Sequence, residues 1–419
     1  MFKKDLKDFI VSFLGNSIGR AFSFIISIFI ARVTSVQFFG MFNIAFNFFT
    51  WINSALVEID NSFIKFMNHK EKDPQYPQKI LGGWYANKIL WLSIIFILIS
   101  IFSNFINQKI LNFEGSRNLL IILFFASSGY LFSYGIVYFF SATHNFRNYS
   151  ISNILLGGGL FLTIWIFFKI FPEYVKNITS LFLIYTFFYT GIAILTNIFI
   201  ILRKQKPIFK IEYIKKIFIF SFWLIIGRII FLAGMRIDVF MLNNFVPLKE
   251  IGIYSSAQRI YTALFLTTST FLYTFLPKTQ KLFAENKVKI ALKNLIRMTL
   301  LISVGLFILF GLSKTIIILL FGKEYSQAGN ILRLLIISFI PFLLYLNLQI
   351  LTFAVSKPFI LFLSSVVKVA SGIVSGLILM KKYGIYGACY MQMISNTLFF
   401  LSTFILLWKS LKRNFAKLF

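Results

Sequence analysis

A chain of 419 residues that is 58% hydrophobic and only 13% charged is not built as a water-soluble domain, in which about a quarter of residues carry charge. Its formal net charge of +29 would suggest nucleic acid in a soluble protein, but here the 42 Lys and Arg gather in connections between apolar stretches, which assigns them to topology and anionic headgroups. The single cysteine, Cys389, excludes an intramolecular disulfide framework or a thiolate metal cluster.

A spanning helix needs roughly 20 largely apolar residues. On that criterion the first half carries six expected spans, at 9–33, 40–62, 81–106, 118–140, 150–171 and 178–202. The first is longer than a signal-peptide core, holds Asn16 and Arg20 and lacks a small-residue cleavage site, so it is expected to be retained. A polar connection at 203–216 leads to six more, at 217–243, 254–276, 294–321, 331–355, 358–380 and 384–408. Gly311, Lys314 and Gly322 interrupt the ninth and tenth. The expected organisation is two lobes, 1–203 and 204–419. With the N-terminus in the cytoplasm, Lys3, Lys4, Lys7, the loops at 65–79, 203–216 and 278–297, and the tail from Lys409 to Lys417 all fall inside. The opposite connections offset cations with acids, as with Lys249 beside Glu250 and Lys323 beside Glu324, so both termini are expected to be cytoplasmic.

The halves repeat each other. Gly19-Arg20 in the first span returns as Gly227-Arg228 in the seventh. About 20 residues after each pair, FFGMFNIAFN from Phe38 and EIGIYSSAQR from Glu250 share a Gly, an aromatic two later and an Ala five later. Six crossings return each copy in the same orientation, as in transporters built from parallel repeats.

No phosphate loop, dinucleotide turn or catalytic constellation is present, and His69 and His144 have no neighbour at metal-ligand spacing, so no enzyme, cofactor or metal is expected. What stands out is a set of ionisable residues inside the spans: Arg20, Glu58, Asp60, Lys88, Arg228, Arg236, Asp238, Arg259 and Lys368. A charge at the bilayer centre costs at least about 2.5 to 3.5 kcal/mol, so such residues face a protein interior or an aqueous path. Arg20, Arg228 and Lys368 fall near mid-depth, with Arg259 nearer the outside. Glu58, Asp60 and Asp238 either bind a coupling proton or sodium ion or balance neighbouring arginines. Lys88 and Arg259 also have the option of snorkelling to a headgroup layer. Arg236 and Asp238 are two apart and share no helix face, so their partners belong to other helices. Tyr254 and Tyr261, seven apart, serve either packing or a glycan.

Longer segments carry a resemblance. IARVTSVQFFGMFNIA from Ile30, EIDNSFIKF from Glu58, RIDVFMLNNFVPLKEIGIYSSAQRI from Arg236, Leu276-Pro277, LLFGKEYSQAGNILRLL from Leu319 and KKYGIYGACYMQ from Lys381 resemble, in consistent order, the polysaccharide or O-antigen flippases of the multidrug/oligosaccharidyl-lipid/polysaccharide exporter superfamily. The resemblance implies an all-α integral membrane protein of about twelve transmembrane helices, in two six-helix lobes around a central cavity. It implies alternating-access translocation of an undecaprenyl-pyrophosphate-linked oligosaccharide across the bacterial cytoplasmic membrane for surface polysaccharide synthesis, with membrane lipids and glycan polymerases or glycosyltransferases as partners. A pyrophosphate crossing a low-dielectric layer needs cations that replace its water, which suits Arg20, Arg228, Arg259 and Lys368. Three alternatives stand beside it: a cation-coupled drug antiporter of the same superfamily, a peptidoglycan-precursor flippase, or a membrane scaffold for glycan-assembly enzymes.

Overall fold

The computed structural model describes residues 2–67, 73–113, 115–202, 206–285, 287–354 and 359–415, and side chains at all of these except 2–10, 230, 231, 233–236, 266–278, 280, 281, 283, 284, 288, 354 and 410–415. His69, the Arg236 side chain, Leu276-Pro277 as side chains and the end of the basic tail therefore lie outside the described residues. Every regular element among them is helical. In chain order these are α1 (Phe2–Val33), α2 (Val36–Met67), α3 (Tyr76–Ile101), α4 (Ser103–Phe105), a π-helical turn at Ile106–Leu111, α5 (Ser116–Ser133), α6 (Gly135–Ala142), α7 (Phe146–Ile170), α8 (Pro172–Val175) and α9 (Ile178–Leu202). They continue with α10 (Ile211–Leu242), α11 (Leu248–Ala284), α12 (Val288–Phe321), a 3-10 turn at Lys323–Tyr325, α13 (Ala328–Ala354) and α14 (Phe359–Phe415).

Eight stretches of the described residues are long and apolar enough to cross a membrane by composition alone, among them Ser116–Ala142, which joins α5 to α6, and Phe359–Lys409, which is long enough for two crossings. The latter is divided at Gly384, whose φ of 55° and ψ of −129° break the α14 helix between the eleventh and twelfth expected spans. Helices α2, α10 and α11 are as long, and with them the twelve expected spans are accounted for. The interruptions at Gly311 and Lys314 leave α12 intact, whereas Gly322, at φ 109°, ends it. The third expected span begins and ends earlier, because Pro77 starts α3 in its first turn and the chain leaves the α geometry beyond Ile101.

The residues pack as two compact units, 1–232 and 233–419, dividing inside α10. The early part of α10 belongs with the first unit because it lies along α3: the Trp91 and Phe218 rings stack at 5.5 Å, and the Asn87 amide donates to the Ile214 carbonyl at 3.0 Å. Just before α10, the Ile208 amide donates to the Gln78 carbonyl at 2.9 Å, and a Cβ on Gly82 would fall 2.2 Å from the Ile208 oxygen, so only glycine admits that crossing.

Since lipid is as apolar as leucine, helices in a membrane associate through close packing and polar contacts rather than hydrophobic burial. In the first unit α1 and α7 run parallel along a seam of small residues. A Cβ on Gly15 would lie 2.3 Å from that of Ser150, one on Gly19 would lie 2.9 Å from the Asn153 carbonyl, and one on Gly157 would lie 2.8 Å from the Gly19 carbonyl. The Ser150 hydroxyl donates across the seam to the Val11 carbonyl at 2.7 Å. In the second unit α13 is the central element, packed by α11, α12 and α14. Polar contacts fasten it: Asn347 donates to Thr299 Oγ1 at 2.8 Å, and Asn396 donates to the Ser338 carbonyl at 2.9 Å.

Candidate functional site

The glycine seam fixes where Arg20 stands. Gly19 presses α1 on α7, and the next residue, Arg20, is exposed. Among the described residues no carboxylate pairs with Arg20. Its counterpart in the repeat differs: a Cβ on Gly227 would meet nothing within 4 Å, and Arg228 Nε lies 4.0 Å from Glu58 Oε1. Glu58 also accepts from the Asn61 amide at 2.8 Å. Glu58, Gly227 and Arg228 line a cleft of about 310 Å³ with Trp223 and Leu224.

Two residues beyond Glu58, Asp60 has a different environment. Its carboxylate accepts from Trp84 Nε1 at 2.8 Å and lies 3.0 Å from Lys88 Nζ, with both ionic side chains at most 1% exposed. Lys88 also donates to the Leu131 carbonyl at 2.7 Å and sits 4.1 Å from the Trp84 ring centre. Snorkelling is thereby corrected: α3 buries Lys88 completely, because α2 supplies its counter-charge within the protein.

In the second unit Asp238 is the hub. The Tyr254 hydroxyl donates to it at 2.6 Å, Gln258 at 2.9 Å and Gln392 at 3.1 Å, and its other oxygen accepts from the Val239 backbone amide at 2.9 Å. These side-chain donors come from α11 and α14, as the spacing of Arg236 and Asp238 required. Tyr254 and Tyr261 are both buried, Tyr261 between Ser338 and Asn396, so both serve packing. Lys368 is 9% exposed and lies 4.9 Å and 5.1 Å from the ring centres of Phe342 and Phe399. Among the described residues it makes no ion pair. Arg259 is half-buried on α11. A cleft of about 570 Å³ between the two arms of α14, lined by Leu379, Tyr390, Met393, Ile394, Thr397 and Leu398, carries no charged side chain.

Residues 6–283, well over half of the chain, match the family described as polysaccharide biosynthesis protein. The chain belongs to that family. Its fold is that of the multidrug/oligosaccharidyl-lipid/polysaccharide exporters. Superposition on a multidrug resistance transporter of that superfamily, in an inward-facing conformation, gives a TM-score of 0.73 at 11% identity and covers 97% of this chain and 99% of the other. Superposition on the lipid II flippase MurJ, in an inward closed conformation, gives 0.71 at 18% identity over 96% and 87%. A superfamily transporter from Pyrococcus furiosus, whose reversed pocket polarity was taken to suggest a different function, gives 0.58 at 13% identity over 96% and 94%. No curated protein matches in sequence.

In this polysaccharide biosynthesis family member, the site residues that sequence reasoning passed over are the neutral ones: Trp84, Gln258 and Gln392. A signal was available for two of them. An amide in the middle of an apolar span costs too much to be left without a partner, which marks Gln258 and Gln392 as members of a buried network.

Proposed function

We propose that this protein translocates a polyprenyl-diphosphate-linked oligosaccharide across the bacterial cytoplasmic membrane by alternating access, as a transporter rather than an enzyme. The observation that carries the reading is Arg20, a permanently charged fork placed mid-span, exposed and without a carboxylate partner among the described residues, in a chain of the polysaccharide biosynthesis family. A guanidinium in that position is stabilised by an anion that arrives from outside the protein, and a diphosphate fits it bidentately. Arg228, Arg259 and Lys368 are proposed to extend the path for the headgroup; the repeated sequence lobes 1–203 and 204–419 carry one Gly-Arg pair each, and both pairs fall within the compact unit 1–232. Both termini are proposed to be cytoplasmic. The acidic candidates weigh against a cationic drug as cargo: Asp60 is consumed by Lys88 and Trp84, and Asp238 by Tyr254, Gln258 and Gln392. Glu58, the more accessible acid, remains the proposed site for a coupling proton or sodium ion.

The test is reconstitution in liposomes with a labelled polyprenyl-diphosphate oligosaccharide in one leaflet, scoring its appearance in the other. The expected result is flipping by the native protein and its loss in Arg20→Ala/Arg228→Ala. Unchanged flipping in that variant would reject the cationic path. Absence of flipping by the native protein under proton, sodium and voltage gradients, with export of cationic dyes, would replace the reading by drug antiport.

A further inference from the structure

We infer that the end of α2, the start of α3 and the first turns of α10 form a binding site for the phosphodiester headgroup of an anionic glycerophospholipid, with Lys65 and Lys216 as its cations. The site is independent of what the protein carries. It is one defined place on the first unit, distinct from the general attraction of basic loops to a membrane surface.

Three observations carry it. The first is a built floor. Lys65 Nζ lies 3.6 Å from the ring centre of Phe220 and 5.5 Å from that of Phe66, and Lys216 Nζ lies 5.3 Å from Phe66, 5.7 Å from Tyr76 and 5.9 Å from Tyr213. Both ammoniums thus converge on Phe66. The rings are locked together: Phe66 meets Phe220 edge-on at 5.5 Å, Tyr76 meets Tyr213 edge-on at 5.7 Å, and the Tyr76 hydroxyl donates to the Phe66 carbonyl at 3.0 Å. With the Ile208 amide bonded to Gln78 and Gly82 admitting the crossing, the approach to α10 is held against α3.

The second is charge. A ring face attracts an ammonium but supplies no anionic oxygen to its N–H donors. Lys65 is exposed and makes no ion pair among the described residues. Two ammoniums sharing one ring also repel each other, being separated by a distance comparable to the Debye length of about 8 Å, and exposed Lys206, Lys210 and Lys215 add to that field. Of the acids among the described residues of these connections, Asp73 is held by Lys79 at 2.6 Å, which leaves Glu212 to face all of these lysines. An anion from outside the protein relieves the excess.

The third is the border with hydrocarbon. Lys215, Ile219 and Trp223 are all exposed at four-residue steps along one side of α10, a stripe about 12 Å long, and exposed Phe209 and Ile211 stand just before it. A soluble anion would use only the lysines. A phospholipid with its phosphate at their level lays an acyl chain along Ile219 and Trp223, and tyrosine, tryptophan and lysine together are what the headgroup boundary selects.

Native mass spectrometry of the full-length protein in a neutral detergent, titrated with phosphatidylglycerol, reads the dissociation constant of the first bound lipid. The native protein is expected to bind it about tenfold more tightly than phosphatidylcholine with the same chains. Lys65→Gln/Lys216→Gln is expected to lose about tenfold, the effect of two charges beside one headgroup, whereas Lys65→Arg/Lys216→Arg keeps the affinity. Lys289→Gln/Lys293→Gln removes the same net charge from exposed positions on α12 and is expected to stay within about twofold. Should the first Gln pair fail to run as a monodisperse species, Lys65→Gln alone carries the same expectation with a smaller loss. Equal losses in the two Gln pairs, or none in the first, would overturn the site in favour of diffuse attraction. Displacement of phosphatidylglycerol by inorganic phosphate at equal concentration would overturn the lipid as its ligand.

Discussion

Lys88→Met tests whether the buried charges of the first unit hold structure. The ammonium lies 3.0 Å from Asp60 and donates to the Leu131 carbonyl at 2.7 Å, with no more than 1% of either ionic side chain exposed. Methionine keeps most of the volume, so the loss is electrostatic: Asp60 is left with the Trp84 indole as its remaining side-chain donor. Breaking a buried pair from one side costs about 3 to 5 kcal/mol, whereas removing both charges together is often nearly neutral. The expected outcome is therefore a loss of that size for Lys88→Met, and within about 2 kcal/mol of the native protein for Asp60→Asn/Lys88→Met, where the Asn oxygen still accepts from Trp84. Unfolding in mixed micelles with a rising fraction of SDS measures both, with flipping assayed per folded molecule. The reasoning is refuted if Lys88→Met stays within about 1 kcal/mol of the native protein or the double variant is no better than the single. A double variant that folds but no longer flips would move Asp60 from structure to ion coupling.

The repeated Gly-Arg pairs make an internal comparison. Gly19→Ala, with its Cβ 2.9 Å from a backbone oxygen, is expected to lose about 1 to 3 kcal/mol, and Gly227→Ala, with open space, to gain about 0.5 to 1 kcal/mol from helix propensity; the same micelle titration decides both. Asp238→Leu leaves Tyr254, Gln258 and Gln392 without their shared acceptor and is expected to cost at least about 3 kcal/mol, a figure contradicted if the variant unfolds at the native SDS fraction. Lys79, near the start of α3, donates to Asp73 in the α2–α3 connection at 2.6 Å and holds its carboxyl below the ordinary value of 3.8. A lowered carboxyl stabilises at every pH above that value and loses its effect only as pH falls through the lowered one. Hydrogen-exchange protection at the start of α3, taken relative to the intrinsic exchange rate at each pH, should therefore be flat across neutral pH and fall only in strong acid, while Asp73→Asn should lower it at neutral pH; a fall in protection of the native protein near pH 6 to 7 would contradict the assignment.

The helices were legible because length and hydropathy alone decide what can cross a bilayer, and breaks such as Gly384 and Gly322 fall where the apolar runs already paused. The ends were less so: α2 and α11 run past the expected 62 and 276, since nothing local stops a helix that leaves the hydrocarbon in a polar but helix-forming stretch. Among the ionisable residues, spacing correctly sent Asp238 to other helices for its partners. It could not select Gln392, 154 residues away, nor tell that Lys88 points inward to Asp60 rather than outward to headgroups. Those choices depend on which helices become neighbours. The repeat misled in one respect, since Gly19 and Gly227 match in sequence and yet only Gly19 lies against another helix within 4 Å.

The Asp60–Lys88 pair also bears on how the chain enters the membrane. Helix α2 is missing from the stretches apolar enough to cross by composition, whereas α3, which follows it, is among them. Presented singly to the translocation machinery, each helix would carry a naked charge worth roughly 3 kcal/mol against insertion. Presented as a hairpin, they neutralise each other before meeting lipid. The order of synthesis then becomes part of the folding code: α2 waits at the lateral gate for α3, and a glycosylation tag placed beyond α2 should report poor integration of that helix alone and efficient integration once α3 with Lys88 is attached.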